Sequence, residues 1–323
     1  MRAIVHDHYG DPDVLELRDL ELPSVEGDQL LVKVHTASVH PGDWLMMMGR
    51  PLLFRPVFGL RGPRKRIPGF DFSGTVEAVG PEVSMFAPGD EVFGDASGGS
   101  CAEYLSVPES KVVRRPPSLG LDQVAVIPVS GTTALKGLRD AGQLTEGQHV
   151  LINGASGGVG TFAVQIAKTL GAEVTGVCGT GNVELVREIG ADHVIDYTSD
   201  DFTQGTARYD LILDNVANRS LADCRRVLTP GGKLLTNNGT SGNRWIGPLG
   251  RMAAAATLSL FVPTQGRPFY APVTTQDLVD LTELIEAGSL VPVISQTFGL
   301  EDTAQAMRLI GEGHAGGKVA ITI

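Results

Sequence analysis

Apolar residues follow two different spacings along this chain of 323 residues. In the first third they alternate with polar residues, as in residues 29–34 (QLLVKV), which is typical of an antiparallel strand with one exposed face. Short apolar runs bounded by Gly, Pro or Asp predict strands at residues 2–5, 30–35, 73–79, 91–94 and 102–107. The pattern therefore predicts a β-rich region over residues 1–120.

Strand and helix patterns alternate from Leu121 onward. Single helices between strands favour a parallel, doubly wound sheet with right-handed crossovers. The predicted strands are residues 149–152, 173–177, 193–195, 211–214 and 233–236. The predicted helices are residues 122–127, 133–141, 158–170, 182–189 and 218–228. Two amphipathic helices, at 276–287 and 302–312, precede a last strand at 318–323, which is most easily buried by returning to the N-terminal region. The predicted fold class is α/β.

Four glycines stand between the strand at 149–152 and the helix that follows it: Gly154, Gly157, Gly158 and Gly160. Glycines allow the chain to turn tightly and to approach a phosphate without a Cβ in the way, and the helix N-terminus offers unpaired N–H groups. The spacing differs from the usual G-x-G-x-x-G. We expect a dinucleotide pyrophosphate to be surrounded by Ser156, Gly157, Gly158 and Val159.

Composition narrows the possible partners and the compartment. The formal net charge of -11 argues against nucleic acid or an anionic membrane as a partner. The three cysteines form no C-x-x-C pair, which favours a reducing compartment without a structural zinc. No apolar signal region follows Met1, so the sequence predicts a cytoplasmic protein.

Seven segments together resemble the medium-chain dehydrogenase/reductase superfamily, in its zinc-independent quinone-oxidoreductase-like branch. They are ASVHPGDW (37–44), PGFDFSGTVEAVG (68–80), PGDEVFG (88–94), AEYLSVPE (102–109), NGASGGVG (153–160), GADHVIDY (190–197) and GKVAITI (317–323). The resemblance implies a GroES-like β-rich domain (1–120), a Rossmann NADP(H)-binding domain (121–262) and a return to the first domain (263–323). It also implies a homodimer.

Zinc-using members of this superfamily carry three ligands that this chain lacks. His40 stands where they have a Cys, Phe70 stands where they have the His of Gly-His-Glu, and the third ligand would fall near Val129. Phe and Val cannot bind a metal, and a catalytic zinc needs three protein ligands. The sequence therefore predicts no metal.

The choice of nicotinamide cofactor depends on the residues after the second strand of the Rossmann domain. An acidic residue there selects NAD by binding the ribose 2′-hydroxyl. This chain has Cys178 followed by Gly179, so a 2′-phosphate meets no carboxylate and Thr180 could donate to it. Relatives often have an Arg or Lys in place of Gly181. The sequence predicts NADPH, with Lys318 or residues 64–66 as the alternative source of positive charge.

Further cofactor contacts are expected from polar residues near strand and helix ends. Tyr197 stands where relatives pack a tyrosine against the adenosine phosphate. Thr132 or Thr133, at a predicted helix start, could bond near the nicotinamide or could simply cap the helix. Asn238 follows the strand at 233–236, at the sheet edge where such folds bind ligands.

Without a metal, a conjugated acceptor is the expected substrate, because hydride delivery to it needs less Lewis-acid help. The acceptor would be a quinone, an enone or an aldehyde. His40, which replaces the Asn usual in this branch, is the candidate proton donor or polar anchor, although a local hydrogen bond beside Pro41 would equally explain it. Two other functions remain open: an NADPH-binding regulatory or partner-binding protein with little turnover, and a metal-free alcohol dehydrogenase.

Overall fold

The computed structural model describes residues 1–237, 245, 267–268, 271–313 and 315–323. It divides the chain into two compact units. The first, here the β-domain, comprises Met1–Thr132, Val273–Gly288 and Pro292–Ile323. The second, here the nucleotide domain, comprises Thr133–Pro272 and Ser289–Val291.

The strands and helices are as follows. The strands are β1 (Arg2–Val5), β2 (Glu16–Asp19), β3 (Gln29–Val39), β4 (Asp71–Val79), β5 (Glu91–Asp95), β6 (Tyr104–Pro108), β7 (Val112–Arg114), β8 (His149–Asn153), β9 (Glu173–Cys178), β10 (His193–Asp196), β11 (Tyr209–Asp214), β12 (Leu228–Thr236), β13 (Arg267–Pro268), β14 (Ile294–Gly299) and β15 (Lys318–Thr322). The α-helices are α1 (Pro41–Met47), α2 (Arg55–Phe58), α3 (Leu121–Val124), α4 (Pro128–Leu135), α5 (Gly158–Thr169), α6 (Val183–Glu188), α7 (Leu221–Arg226), α8 (Thr275–Glu286) and α9 (Thr303–Glu312). A π-helical turn, Lys136–Ala141, follows α4. Among the described residues, no helix combines the length and apolar character needed to cross a bilayer.

The β-domain is built on a sheet centred on β3. In β3 the alternate side chains of Leu30, Val32 and Val34 are buried while Lys33 is exposed, as the alternation predicts. The strand pairs antiparallel with β4, β6 and β15, and the order across the sheet is β14-β15-β3-β4-β5-β7. The last strand therefore returns to the N-terminal sheet, as the sequence predicts.

The nucleotide domain is a parallel sheet in the order β10-β9-β8-β11-β12-β13. The strand pairs are parallel, and the helices α5, α6 and α7 follow β8, β9 and β11, so the fold class is confirmed. The chain runs outward from β8 in one direction and from β11 in the other. Ligands of such sheets bind at the carboxyl ends of the strands where the order reverses. That point lies between β8 and β11.

The boundary between the two units falls after Thr132, not after residue 120 as predicted. The reason is local packing: α3 lies against β3, β4 and β5 of the β-domain, and the N–H of Val129 in α4 donates to Asp71 at 3.0 Å. The return to the β-domain likewise begins at Val273, beyond the predicted position 263.

Candidate nucleotide and acceptor sites

The glycine loop after β8 has the backbone of a phosphate cradle. Gly154 has a φ of +82°, and a Cβ on Gly160 would lie 2.1 Å from the carbonyl oxygen of Gly154. Gly157 is the N-cap of the twelve-residue helix α5, and no side chain caps its first N–H groups. The predicted pyrophosphate contacts are half-buried at this end of the helix: Ser156, Gly157, Gly158 and Val159.

Polar side chains that the sequence reasoning missed tie the two central strands together. Asn153 ends β8, and its Nδ2 donates to Oδ1 of Asp214 at 2.8 Å, where β11 ends. The same Asp214 oxygen accepts the N–H of Ala217 at 2.8 Å, which fixes the loop after β11. In the sequence, the signal for this pair is a polar residue at the end of each of two apolar strands.

Asn215 places an orphan donor beside this loop. Its Oδ1 accepts from Nδ2 of Asn237 at 3.2 Å, whereas its own Nδ2 is buried with no hydrogen-bond partner among the described residues. Such a donor is costly unless a ligand or water completes it. A nicotinamide dinucleotide fits three features of this region: a glycine loop with no room for a Cβ at Gly160, the N-terminus of α5 without a side-chain cap, and the unpaired Nδ2 of Asn215.

The residues predicted to contact the adenosine end of the cofactor lie in the loops after β9 and β10. Tyr197 is 44% exposed, and a Cβ on Gly179 would lie 3.1 Å from its hydroxyl oxygen. The Thr180 hydroxyl lies 3.0 Å from that of Thr198. Hydrogen bonds from Thr180 and Thr198 lower the pKa of Asp196 at the end of β10.

The expectation of an acid-free loop is therefore wrong in one respect. Cys178 ends β9 without a carboxylate, but the neighbouring strand brings Asp196 to Thr180. The Asp196 carboxylate is held within its own loop, since Oδ1 accepts both the N–H and the hydroxyl of Thr198. Gly181 faces open space, since a Cβ on it would have no neighbouring atom within 4 Å.

Three other predicted cofactor residues have different outcomes. Thr133 lies inside α4, which begins at Pro128, so the interpretation of Thr132 or Thr133 as a helix cap is wrong. The Thr132 hydroxyl is buried and has no hydrogen-bond partner among the described residues. Asn238 lies outside the described residues.

Lys318 is buried inside the β-domain rather than presented to a phosphate. Its side chain is 2% exposed, and Nζ donates to Oδ2 of Asp71 at 3.3 Å and to the hydroxyl of Ser130 at 3.0 Å. Burial raises the pKa of Asp71 to about 6, although the ammonium of Lys318 acts in the opposite direction. Because the Lys318 ammonium is buried and already paired with the Asp71 carboxylate, the structure does not support the phosphate contact predicted for Lys318.

His40 is the N-cap of α1 and is locked there by reciprocal bonds. Its backbone N–H donates to Oδ2 of Asp43 at 2.9 Å, and its Nδ1 accepts the N–H of Gly42 at 3.0 Å. The other Asp43 oxygen accepts the N–H of Gly69 at 2.9 Å. Pro41 at the first helical position completes this start, because its ring is preorganised for a helix.

The protonation of His40 follows from this packing. Burial, followed by the positive charge of Lys318, lowers the pKa of His40 to about 3. The imidazole is therefore neutral in the neutral pH range, and because Nδ1 accepts a hydrogen bond, the proton resides on Nε2. This Nε2 is buried without a hydrogen-bond partner among the described residues. Of the two predicted roles, the geometry favours a polar anchor over a proton donor.

The side chains around His40 do not fit a catalytic zinc. The ring of Phe70 lies 5.0 Å from the ring of His40, at the position of the missing metal ligand. The Asp71 carboxylate is paired with Lys318, and Val129 offers only its backbone. Within the part of the chain that the structure describes, no three His, Cys, Asp or Glu side chains are grouped to hold a metal ion.

A cavity of about 310 Å³ lies within the β-domain, beside α1 and the residues that follow it. Its volume is at the lower end of the range for small-molecule sites. Its walls are mainly apolar and include Met46, Met47, Phe58, Ile67 and Phe70. Asp43 and Phe70, which both contact His40, are part of its lining, so the cavity adjoins the His40 cluster, here His40, Asp43 and Phe70. We call it the acceptor cavity.

Two family models match the chain. One, described as "Alcohol dehydrogenase GroES-like domain", covers residues 26–117. The other, described as "Zinc-binding dehydrogenase", covers residues 189–321. The second description names a metal that the residues around His40 do not fit.

Relatives match over the full length of the chain. A 2-methylene-furan-3-one reductase of Solanum lycopersicum is 30% identical over 335 residues, which cover 99% of this chain and 79% of that protein. A mitochondrial NAD(P)H oxidoreductase of Danio rerio is 33% identical over 356 residues, covering 100% and 91%. The solved structure of the quinone oxidoreductase from Coxiella burnetii is similar with a TM-score of 0.86 at 27% identity, covering 100% and 99%. The chain belongs to the medium-chain dehydrogenase/reductase superfamily, in its quinone-oxidoreductase-like branch.

Proposed function

We propose that this protein is a metal-independent, NADPH-dependent reductase of conjugated carbonyl compounds, that is, of enones and quinones. One observation carries the proposal. Beside Phe70, at the family's metal position, the neutral His40 imidazole offers an Nε2–H that has no hydrogen-bond partner among the described residues. A single neutral donor suits an acceptor that is already activated by conjugation.

The cofactor side of the proposal rests on the nucleotide domain. The loop at Gly154–Gly160 and the first turn of α5 would hold the pyrophosphate, and Asn215 would donate to the ligand near the switch point. When bound, a reduced nicotinamide supplies the hydride. NADPH is favoured over NADH because β9 ends in Cys178 and the space at Gly181 is open to a phosphate, while the nearby Asp196 carboxylate is engaged by Thr198 within its own loop. The reductases and the NAD(P)H oxidoreductase among the relatives support the same class of reaction.

The acceptor side rests on the β-domain. The apolar walls of the acceptor cavity would exclude water around a flat, conjugated acceptor. As the acceptor's β-carbon gains a hydride, negative charge develops on its carbonyl oxygen, and the Nε2–H of His40 would donate to that oxygen. Asp43 acts on His40 indirectly, by fixing the backbone N–H that sets its ring in place. A solvent proton completes the reduction.

The experiment is a spectrophotometric assay of NADPH consumption with four additions: an enone, a quinone, a saturated aldehyde and buffer alone. We expect turnover with the enone and the quinone, and the same rate after exhaustive dialysis against a chelator. Faster turnover of the saturated aldehyde would indicate a metal-free alcohol dehydrogenase instead. NADPH binding, measured by calorimetry, without consumption in any assay would indicate a binding protein.

A further inference from the structure

The segment from Arg61 to Arg66 is basic, and its cations differ in what they contact. Arg66 forms an ion pair with Asp7, and the Lys65 ammonium donates to the carbonyl oxygen of Ser97. For Arg64 the described residues provide neither an ion pair nor a hydrogen bond to the guanidinium. Arg64 also lines the acceptor cavity, where it is exposed.

The backbone holds Arg64 at this place. Its N–H donates to the carbonyl oxygen of Phe58 at 2.8 Å, so the chain folds back on itself between the two residues. Gly59 makes the fold possible, with a φ of +126° and space so tight that a Cβ would lie 1.9 Å from the carbonyl oxygen of Gly62. Tyr9 donates its hydroxyl to the carbonyl oxygen of Gly59 at 2.8 Å, which ties the fold to the rest of the domain. The position of Arg64 is therefore built into the loop.

The charged residues of the cavity lining differ in sign and in exposure. Asp43 is the only carboxylate among the described lining residues, and this side chain is 1% exposed beside His40, whereas the cations Arg64 and Lys65 are exposed and the Lys65 ammonium already donates to Ser97. An anionic group of a ligand would be disfavoured near that buried acid and favoured near the exposed guanidinium. Most of the other lining residues, among them Met47, Phe58 and Phe70, are apolar. A ligand with a neutral carbonyl at one end and an anion at the other would thus bind in one orientation.

We propose that Arg64 is the anion-recognition residue of the acceptor cavity, and that the preferred acceptors carry a conjugated carbonyl on an apolar body with a carboxylate at the far end. The inference rests on the proposed function, since it concerns the acceptor of that reaction. In it the conjugated carbonyl faces the His40 cluster and the carboxylate pairs with Arg64 at the rim.

The test compares a nine-carbon methyl enone bearing a terminal carboxylate with its methyl ester, using NADPH as the reductant. The variants are Arg64→Gln and, as a matched control, Arg61→Gln, since Arg61 is an exposed cation of the same loop outside the cavity lining. We expect Arg64→Gln to raise KM for the carboxylate between about threefold and about tenfold, the range for a partly solvated ion pair. KM for the ester, and kcat for both, should stay unchanged. Added salt should raise KM for the carboxylate and leave KM for the methyl ester unchanged.

The outcomes separate this inference from the proposed function. Reduction of both compounds with equal KM in wild type and Arg64→Gln would overturn the role of Arg64 and leave the reductase intact. Reduction of neither compound would overturn the proposed function itself. In that case ligand-observed NMR of the carboxylate with wild type and Arg64→Gln still tests the binding role. A raised KM for NADPH, with the carboxylate KM unchanged, would assign Arg64 to the cofactor and contradict the inference.

Discussion

The Nδ1 atom of His40 accepts the backbone N–H of Gly42 at 3.0 Å, and this one bond determines what His40 can do. It commits Nδ1 as an acceptor and leaves the ring proton on Nε2. Burial keeps the ring neutral by lowering its pKa to about 3. The sequence leaves the role of His40 open between a proton donor, a polar anchor and a local hydrogen bond, and this geometry favours a hydrogen-bond donor through Nε2.

The first prediction concerns substitutions at His40. His40→Asn retains an N–H donor and should retain most activity, whereas His40→Ala should lower kcat by about 100-fold, at the low end of the effect of removing one oxyanion-hole donor. The measurement is kcat with an enone from about pH 5 to about pH 8, where wild type and His40→Asn should give parallel profiles. The donor role would be contradicted if kcat of the wild type changed with pH near 6.5, the ordinary pKa of histidine, and kcat of His40→Asn did not.

The second prediction concerns the buried pair of Lys318 and Asp71. Lys318→Met leaves a buried carboxylate uncompensated and should lower the free energy of unfolding by about 3–5 kcal/mol near neutral pH. The loss should shrink below about pH 5, where Asp71, whose pKa is raised to about 6, is protonated in the folded state. Denaturant unfolding of both single variants and of the double variant with Asp71→Asn measures the coupling. Additive losses would show that the two side chains do not interact.

The third prediction concerns Asp43 and pH. Burial, with the nearby charge of Asp71, raises the pKa of Asp43 from 3.8 to about 7, although the N–H bonds from His40 and Gly69 oppose the shift. Between those values the folded protein binds more protons than the unfolded chain, so the free energy of unfolding falls as pH rises through this window.

Asp43→Asn removes this pH dependence. It also replaces one accepting carboxylate oxygen by an amide NH₂ group, which changes the free energy of unfolding by an amount that does not vary with pH. The difference in unfolding free energy, wild type minus variant, should therefore fall by up to about 1.4 kcal/mol per pH unit. Chemical denaturation at several pH values measures it, with the exposed Asp19→Asn as the control. A difference that stays flat with pH would show that Asp43 ionises normally.

The fourth prediction concerns two glycines of the nucleotide domain. Gly160→Ala should abolish NADPH binding, because its Cβ would lie 2.1 Å from the carbonyl oxygen of Gly154. Gly181→Ala should be neutral, since a Cβ there has no neighbour within 4 Å. Gly181→Arg should lower Kd for NADPH between about threefold and about tenfold, and leave NADH unchanged, by adding a charge for the 2′-phosphate.

Calorimetry with both cofactors measures these affinities, and circular dichroism checks that each variant is folded. If Gly181→Arg raised the affinities for NADH and NADPH by the same factor, the 2′-phosphate would not bind next to residue 181.

The sequence predicts the two sheets well because apolar spacing is a local property. The alternation at residues 29–34 and the apolar run at 150–152 each record which faces are buried. The glycine loop is equally visible, because only glycine tolerates the turn at Gly154 and the close approach at Gly160. The start of α4 was missed although Pro128 marks it, since Pro is favoured at the first helical position.

The chemistry of the candidate site depends on contacts that the sequence does not reveal. Lys318 and Asp71 are 247 positions apart, and only the pairing of β15 with β3 brings the ammonium into the domain interior. That same ammonium helps to lower the pKa of His40. Asp196 likewise reaches Thr180 because β10 lies beside β9. Each of these facts comes from packing between distant segments.

The central claim is hydride transfer to a conjugated carbon without a metal, and isotope transfer tests it most directly. The chelator-dialysed protein is incubated with an enone and NADPH deuterated at the transferable position, and the product is examined by NMR. The account predicts one deuterium at the β-carbon of a saturated ketone. Deuterium on the carbonyl carbon of an alcohol, or no transfer without added zinc, would contradict it.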